Sequence, residues 1–388
     1  MHEAKTILFT CSLLFALSVI AAGSLSFFPS LLYGQTPYYF MLKQALFACA
    51  SFVVLFAFYS LNPQKKTCFY LLAALSWISI LLCIALPFLP ESLSRSVFGA
   101  KRWVRLGPLS LSPVEFLKIS CVFLLSISYA RQIDHSKKTI KQEFSKLWKY
   151  FFLMIICVSY IYITQNDLGQ GAVLFSLLCY LALVAGISRR FFLMSMVFVC
   201  ILGSVFILSN LTRINRLYSW WAGAQNYFLP FFPQSAQDIL RISGSELPYQ
   251  INHSLNALSN GGLFGQGLGL GVFKLGFLSE IHTDFVLAGL GEEFGFIGFA
   301  LISFLYIKLA ANISKIAYRL EDKRDFIFCQ GICYLILASF FINSFGIISI
   351  IPIKGIAVPF LSYGGSSMLA TSIGLGVVLM LSKKIEKA

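Results

Sequence analysis

The stretch that decides the fold is residues 261–295, GGLFGQGLGLGVFKLGFLSEIHTDFVLAGLGEEFG. Its first half is rich in glycine, a residue that allows tight turns and close approach of the backbone. Its second half offers Lys274, His282 and Asp284 directly before a long apolar run. Ionisable groups at the mouth of a membrane segment are costly to keep there and usually serve a site. We therefore expect the rest of the chain to hold this loop at a membrane surface.

The composition is that of a protein that spans a membrane. Of the 388 residues, 58% are hydrophobic and only 12% are charged. A membrane-spanning helix needs about 20 apolar residues, and the chain contains many such runs. The runs are continuous rather than alternating, which argues against a β-barrel. We predict an all-α polytopic membrane protein, a bundle of about ten transmembrane helices that forms one domain over residues 1–388.

Ten apolar runs define the predicted spans. They are Thr6–Phe28, Gln44–Leu61, Tyr70–Leu89, Phe116–Ala130, Tyr150–Thr164, Ala172–Ile187, Phe191–Ser209, Phe285–Lys308, Phe326–Ile351 and Val358–Leu381. With this count, most Lys and Arg residues of the loops lie on the same side as both termini, which the positive-inside rule assigns to the cytoplasm. The other side carries one large extracytoplasmic loop, about 210–284, and loops of this length usually have a function.

The net charge of +14 would suggest a nucleic-acid partner in a soluble protein, but the positive-inside rule explains part of the excess here. We therefore predict no nucleic-acid partner. Some basic residues nevertheless fall on the extracytoplasmic side: Arg95, Lys101, Arg102, Arg105, Arg213, Arg216, Arg241 and Lys274. Between residues 95 and 105 they alternate with aromatic residues. This pattern fits a short amphipathic segment in the headgroup layer of the membrane lipids, or a site for an anionic, phosphorylated ligand.

Glu115 and Lys118 begin the fourth predicted span and lie on one face of its helix, because they are three residues apart. One interpretation is a self-neutralising pair in which Lys118 extends to the membrane surface. The alternative is a pair that faces a polar cavity inside the bundle, where ionisable groups in membranes generally point. In that case both are candidate substrate-binding residues.

Further polar residues lie at the extracytoplasmic ends of spans. Asp167 is either a turn former or part of the outer site. Asp284 stands in the first turn of the eighth span, where an acidic residue is favourable to the helix dipole and Thr283 could be the N-cap. His282 is either a simple loop residue or a substrate-binding residue. Ser366 is either part of a small-residue helix contact or a hydroxyl donor to the substrate.

Two adjacent carboxylates, Glu292 and Glu293, lie inside the eighth span. Carboxylates at this depth need internal partners, so we expect at least one of them to face the bundle. The ten cysteines lie mostly inside apolar runs and lack the spacing of a zinc site. We interpret them as small packing residues and predict no metal ligands among them.

Five motifs in chain order resemble those of the SEDS family. They are Gly99-Ala100-Lys101-Arg102-Trp103, Pro113-x-Glu115-x-x-Lys118, Gln165-x-Asp167-Leu168-Gly169, the 261–295 stretch with His282-Thr283-Asp284-Phe285 and Glu292-Glu293-x-Gly295, and Pro359-Phe360-x-Ser362-Tyr363-Gly364-Gly365-Ser366-Ser367. The resemblance covers nearly the whole chain, with a ten-span topology.

The sequence departs from the pattern of the family at Ser112, Asn166 and Ser279, which concerns the local shape of loops more than the chemistry. The string Pro352-x-Lys354-Gly355 resembles the FtsW branch of the family more than the RodA branch.

This resemblance implies a peptidoglycan glycosyltransferase that polymerises lipid II at the outer face of the bacterial cytoplasmic (inner) membrane. It implies septal synthesis in cell division, with elongation of the cell as the alternative. Asp284 matches the essential aspartate of the family, and Glu115 and Lys118 match its membrane pair. The partners it implies are a class B penicillin-binding protein, which is a transpeptidase, and other divisome proteins.

The chemistry agrees with this assignment. A sugar 4-hydroxyl must lose a proton as it attacks an anomeric carbon, and Asp284 is the candidate base. Because an unperturbed Asp has a pKa of about 3.9, desolvation or nearby charge must raise that value. Positive groups must stabilise the leaving pyrophosphate, and Lys101, Arg102, Lys118 and Lys274 are available. A divalent cation, Mg or Mn, could share this task, but no ligand cluster in the sequence requires one.

Two other functions remain open from the sequence. A lipid II flippase would need a charged path deep in the membrane, which Glu115, Lys118 and Glu292 could supply. A structural scaffold of the division machinery would not need Asp284 as an acid.

Overall fold

The computed structural model describes residues 2–96, 100–107, 109–132, 140–165, 167–208, 211–242, 248–352 and 355–385. Their helices are α1 (His2–Leu25), α2 (Phe27–Leu32), α3 (Tyr39–Ser60), α4 (Thr67–Ala85), α5 (Pro113–Gln132), α6 (Ile140–Gln165), α7 (Leu168–Ala185), α8 (Arg189–Leu208), α9 (Leu211–Phe228), α10 (Gln234–Leu240), α11 (Tyr249–Gly261), α12 (Val286–Arg319), α13 (Lys323–Ile347) and α14 (Gly365–Ile385). The parts of the sequence expectations that rest on Phe98, Gly99, Asn166 and Lys354, and on the side chains of Arg213 and Arg216, fall outside this description.

Helices lie at all ten predicted spans. Eight of them, α1, α3, α4, α5, α6, α12, α13 and α14, are long and apolar enough to cross a membrane, judged on the described residues by length and composition. The other two predicted spans form α7, with 18 residues, and α8, with 20. The prediction of a polytopic helical bundle is therefore confirmed.

The tenth predicted span is wrong at its start. It was expected to begin at Val358, but α14 begins at Gly365 and residues 355–364 form a loop. Pro359 lacks a backbone N–H and disfavours helix at the preceding residue. The apolar run misleads because the loop is buried in protein, where apolar residues are needed without helix.

The centre of the bundle is α14, which packs against α3, α5 and α13. Nearly every residue of α14 between Gly365 and Ser382 is buried. A helix that is apolar all round is expected in such a core. Small residues permit close packing: a Cβ on Gly376 would lie 2.7 Å from the backbone oxygen of Leu55 on α3.

The start of α1 and the end of α14 lie on one face of the bundle. Glu3 at the start of α1 pairs with Arg319 at the end of α12, Nη1 to Oε1 at 2.9 Å. Lys384 at the end of α14 pairs with Asp325 at the start of α13, Nζ to Oδ2 at 2.5 Å. The two ion pairs therefore bring the start of α1, the α12–α13 connection and the end of α14 together, as an even number of spans requires.

The basic segment after α4, which was predicted to be a short amphipathic segment, leads into a β-hairpin. Strand β1 (Val104–Leu106) pairs antiparallel with β2 (Leu109–Leu111), and Val104 lies opposite Leu111. Gly107 at the turn has a φ of +64°, a conformation that glycine adopts without strain. This hairpin is the one departure from helix among the described elements, and it carries Lys101 and Arg102 on its leading arm.

The large loop after α8 is mostly helical. It contains α9, α10 and α11, with α11 packing on α12. Its glycine-rich end, residues 261–271, runs beside a break in α12 at Gly295, where φ is 67° and ψ is −168°. Within a membrane, the backbone groups that such a break releases must find partners in the protein.

The glycine-rich segment supplies those partners. Phe296 N–H donates to the oxygen of Gly262 at 2.9 Å, and Ile297 N–H donates to that of Leu263 at 3.1 Å. In the other direction, the N–H groups of Gln266 and Gly267 donate to the carbonyls of Glu292 and Glu293 at 2.9 and 3.0 Å. The loop backbone thus replaces the helical hydrogen bonds that the break removes.

Glycine is required at this crossing by the close approach of the two backbones. A Cβ on Gly265, which has a φ of +82°, would lie 2.2 Å from the oxygen of Glu293. A Cβ on Gly261 would lie 2.1 Å from the oxygen of Gly291. The glycines predicted to give close approach therefore approach α12 of the same chain.

Candidate active site

Asp284 lies in the turn that enters α12 and is half-buried. Its N–H donates to the oxygen of Glu280 at 3.0 Å, and Glu280 has a φ of +56°. The hydroxyl of Thr283 donates to the oxygen and the carboxylate of Glu280, at 3.1 and 3.0 Å, rather than capping the helix. Because no side chain caps the described N-terminus of α12, the N-cap interpretation of Thr283 is wrong, and the carboxylate of Asp284 is left for another task.

The backbone around Asp284 is fixed by the loop before α14. Tyr363 N–H donates to the oxygen of His282 at 2.9 Å. The Ser362 hydroxyl donates to the oxygen of Thr283 at 2.7 Å and accepts from Val358 N–H at 2.9 Å. Residues 355–364, which the prediction partly included in the tenth span, form a loop that positions the candidate base.

The side chain of Asn343 on α13 also fixes the backbone of Asp284. Its amide nitrogen donates to the oxygen of Asp284 at 2.7 Å and to that of Ile356 at 3.0 Å. The sequence analysis missed Asn343, and it named Ser362 only as part of a family motif, without a role at the site. The signal that could have found Asn343 is a lone amide within an apolar span, since polar groups in membranes need partners and often serve a site.

The carboxylate of Asp284 is surrounded by backbone and by charge. A Cβ on Gly355 would lie 2.8 Å from Oδ2, so the backbone of Gly355 lines one side of the carboxylate. Burial raises the pKa of Asp284 to about 6, with further increases from the negative charges of Glu280 and Asp167 and an opposing decrease from Arg102. Such a carboxyl group is mostly ionised at neutral pH and is a stronger base than an exposed aspartate.

The charges of Arg102 and Asp167 thus act on Asp284, while their role in binding the substrate stays a prediction. Arg102 Nε donates to the oxygen of Gln165 at 2.8 Å, which fixes the hairpin arm to the end of α6. Asp167 is the N-cap of α7 and accepts from Gln170 N–H at 3.1 Å. Asp167 therefore fulfils the turn interpretation while its charge acts on Asp284.

Lys101 is half-buried and donates from Nζ to the carbonyls of Pro87, at 3.3 Å, and Leu89. It holds the hairpin against the end of α4. Ser366 accepts from Ser112 N–H at 2.9 Å and donates to the oxygen of Ser110 at 3.4 Å. Its described contacts therefore hold β2 to the start of α14.

Glu115 and Lys118 form a buried ion pair inside the bundle, Nζ to Oε2 at 2.8 Å. Gln170 on α7 donates to Glu115 Oε1 at 3.1 Å. The pair lines a cavity of about 20 Å³ together with Ser367 and Thr371 of α14, which is room for about one water molecule. The interpretation with Lys118 extending to the membrane surface is wrong, and the pair faces inward.

Lys274 is paired elsewhere. Its Nζ lies 2.6 Å from Glu293 Oε1 and 2.9 Å from the hydroxyl of Ser24 on α1, and it is only 6% exposed. Its neighbour Glu292 accepts from Val272 N–H at 2.7 Å and from the Asn260 amide at 2.8 Å. Both glutamates face inward as expected, but the structure gives no support for Lys274 as a group that stabilises a leaving pyrophosphate.

His282 is buried between the rings of Phe40 and Tyr363, with ring centroids at 5.0 and 5.6 Å. Burial lowers the pKa of His282, and the negative charge of Glu280 opposes that change. A lowered pKa keeps the imidazole neutral at pH 7. The imidazole ring is therefore packed within the protein, against Phe40 and Tyr363, and its role in substrate binding stays a prediction.

Within the described residues, no three His, Cys, Asp or Glu side chains come together as metal ligands. We assign no residue of the chain to a divalent cation.

Fold and site together define a class: a multi-pass membrane protein with a half-buried carboxylate at the mouth of an interrupted helix, among acidic and basic side chains. Residues 4–387 match the sequence profile of the cell cycle protein family of FtsW, RodA and SpoVE, and the chain belongs to that family.

The relatives agree with this assignment. The chain is 41% identical over 384 residues to a probable peptidoglycan glycosyltransferase FtsW of Helicobacter pylori, covering 98% of each. Its fold matches a chain of a structure described as "Structural coordination of polymerization and crosslinking by a peptidoglycan synthase complex", with TM-score 0.71, 21% identity and 98% of each chain covered. It also matches the rod shape determining protein RodA of Thermus thermophilus, with TM-score 0.63, 22% identity and 97% and 96% covered.

Proposed function

We propose that this protein polymerises lipid II at the outer face of the bacterial cytoplasmic membrane, with Asp284 as the catalytic base. The chain is a peptidoglycan glycosyltransferase, the activity in the name of its relative at 41% identity. The observation that carries the assignment of the base is the half-buried Asp284 carboxyl, whose pKa burial raises to about 6.

The reaction joins the 4-hydroxyl of one sugar to the anomeric carbon of another. Asp284 takes the hydroxyl proton as the new carbon–oxygen bond forms. The bond from the anomeric carbon to the polyprenyl pyrophosphate breaks, and the diphosphate leaves with the electron pair. Arg102 is the cation whose charge reaches Asp284, so it is the best placed to stabilise the departing group. Lys101 lies next to it on the same arm.

The biological setting is part of the proposal. The FtsW name of the relatives supports septal synthesis in cell division rather than elongation. The fold shared with a chain of a synthase complex supports a class B penicillin-binding protein as the crosslinking partner, together with other divisome proteins. The start of α1 and the end of α14 lie on one face of the bundle, and we propose that this face, with both termini, is cytoplasmic because it bears most of the basic loops.

A flippase receives less support. Glu115 and Lys118 neutralise each other beside a cavity of about 20 Å³, and Glu292 is bonded to a different set of groups. A charged headgroup does not fit a space that holds about one water molecule.

The test is polymerisation of lipid II by the full chain in proteoliposomes, with and without its transpeptidase. We expect Asp284→Asn to lose about 10²–10⁴-fold in rate, the usual contribution of a general base. The matched control is Asp238→Asn, an exposed acid on α10 of the same large loop, which should polymerise at the normal rate. Full activity of Asp284→Asn would contradict the proposal, and normal growth of cells that carry it would favour the scaffold function.

A further inference from the structure

Asn343 is a buried amide in an apolar helix. It is only 3% exposed, and a buried amide without partners would be destabilising by several kcal/mol in apolar surroundings. Its nitrogen bonds two carbonyls that belong to different segments, those of Asp284 and Ile356. The amide therefore connects the entry of α12 to the loop before α14, through two donors with fixed geometry on one planar group.

The Ile356 end of this connection lies next to the carboxylate of Asp284. Gly355, which precedes Ile356, lies so close to Asp284 that a Cβ would stand 2.8 Å from Oδ2. The Asn343 amide thus connects the backbone of Asp284 to the segment whose Gly355 lines the carboxylate. It does so without facing the substrate, because the side chain lies within the protein.

We propose that Asn343 is a positioning residue for Asp284: by bridging the carbonyls of Asp284 and Ile356, it sets where the carboxylate stands relative to the sugar hydroxyl. This inference rests on the proposed role of Asp284 as the base. Displacement of a reacting group by about 1 Å can cost about 100-fold in rate, so a residue with no substrate contact can control kcat.

Asn343→Leu removes both donors and keeps the size of the side chain. We expect kcat for lipid II polymerisation to fall by about 10–100-fold with KM unchanged, because no substrate contact is lost. Freed from the bridge, Asp284 gains access to solvent. Since burial is the first cause of its raised pKa, the acid limb of the rate profile should move to lower pH.

The matched control is Asn312→Leu on α12. Asn312 is also buried, at 7% exposed, but its amide donates to the oxygen of Lys308 in its own helix, at 2.7 Å. It should keep wild-type kcat and the wild-type acid limb. A general effect of removing a buried amide from a membrane helix would instead appear in both variants.

A second variant displaces the Asp284 carboxylate from the side that Gly355 lines. Gly355→Ala places a methyl group against Asp284 Oδ2, and Gly355 is exposed, so the carboxylate shifts while the fold is kept. It should lower kcat and change the midpoint of the acid limb. Its control is Gly203→Ala on α8, where a Cβ meets nothing within 4 Å. If Asn343→Leu fails to fold, Asn343→Ala, which removes the same two donors with a smaller side chain, replaces it, while Gly355→Ala tests only whether the position of the carboxylate sets the rate.

Asp284→Asn is assayed in parallel to separate the two claims. If it polymerises normally, the proposed base is wrong and the positioning role falls with it. If it is inactive while the folded variants at 343 and 355 keep the wild-type kcat and midpoint, only the positioning role is overturned. A loss of kcat with an unmoved midpoint would also overturn it, since a purely structural defect lowers the amount of active enzyme without changing the titration.

Discussion

At the scale of residues, the decisive feature is the raised pKa of Asp284, which makes this aspartate a stronger base at neutral pH. The sequence placed Asp284 at the mouth of a span and required desolvation or nearby charge to raise its pKa. The structure provides both, by half-burying the carboxyl and placing Glu280 and Asp167 in its environment. Arg102 opposes them, so the pKa of Asp284 is a balance that single substitutions can move.

Arg102→Gln should shift this balance in a known direction. Arg102 lowers the pKa of Asp284, so its loss raises that pKa above about 6 and leaves a smaller ionised fraction of the base at a given acidic pH. The acid limb of the rate profile should therefore move to higher pH. If Arg102 also stabilises the leaving diphosphate, the plateau rate should fall by about 100-fold.

The measurement is the initial rate of lipid II polymerisation across pH, with Arg190→Gln as control. Arg190 is exposed at the start of α8 and should change neither the limb nor the plateau. A limb that moves to lower pH in Arg102→Gln would contradict the electrostatic assignment.

At the scale of elements, α12 and the glycine-rich segment form one unit. The sequence indicated glycines with close backbone approach and glutamates with internal partners, and both are present. It did not indicate that the two features meet, because the break at Gly295 is visible only once α12 and residues 262–267 are side by side. The sequence analysis assigned Lys274 to the substrate because it did not show that the segment containing Lys274 packs on α12, where its partner Glu293 lies.

The buried pair of Lys274 and Glu293 should stabilise this unit strongly once formed. Removal of one partner leaves an uncompensated buried charge, and we expect Lys274→Met to lower the free energy of unfolding by about 3–5 kcal/mol. Lys274→Met combined with Glu293→Met should recover most of that loss, because two apolar side chains can replace a buried pair at little cost. Thermal unfolding in detergent, followed by tryptophan fluorescence, measures both.

The pair of Arg319 and Glu3 is the control for this experiment. The Arg319 side chain is 57% exposed, and exposed ion pairs contribute only about 0–1 kcal/mol. Arg319→Met should therefore change the unfolding midpoint little. Equal decreases of the unfolding midpoint in Lys274→Met and Arg319→Met would show that burial does not strengthen the pair of Lys274 and Glu293.

At the scale of the whole molecule, hydropathy was sufficient for the bundle and insufficient for the site. The ten apolar runs correspond to ten helices because each run must satisfy its own backbone inside a membrane. The start of the tenth helix was misplaced because the loop before α14 is apolar for another reason, burial beneath Asp284. Asn343 and Ser362 connect that loop to the entry of α12 through tertiary contacts. A single sequence does not show which distant carbonyl an amide or hydroxyl will meet.

The central claim, that the half-buried Asp284 carboxylate is the base, is tested most directly by the pH dependence of lipid II polymerisation by the wild type and Glu280→Gln. Burial and the charge of Glu280 raise the pKa of Asp284 to about 6, so the wild-type rate should fall as the pH drops through about 6. Removal of the Glu280 charge should move that fall to lower pH. A rate that stays level between about pH 7 and pH 5, or a midpoint that Glu280→Gln leaves unchanged, would contradict the account.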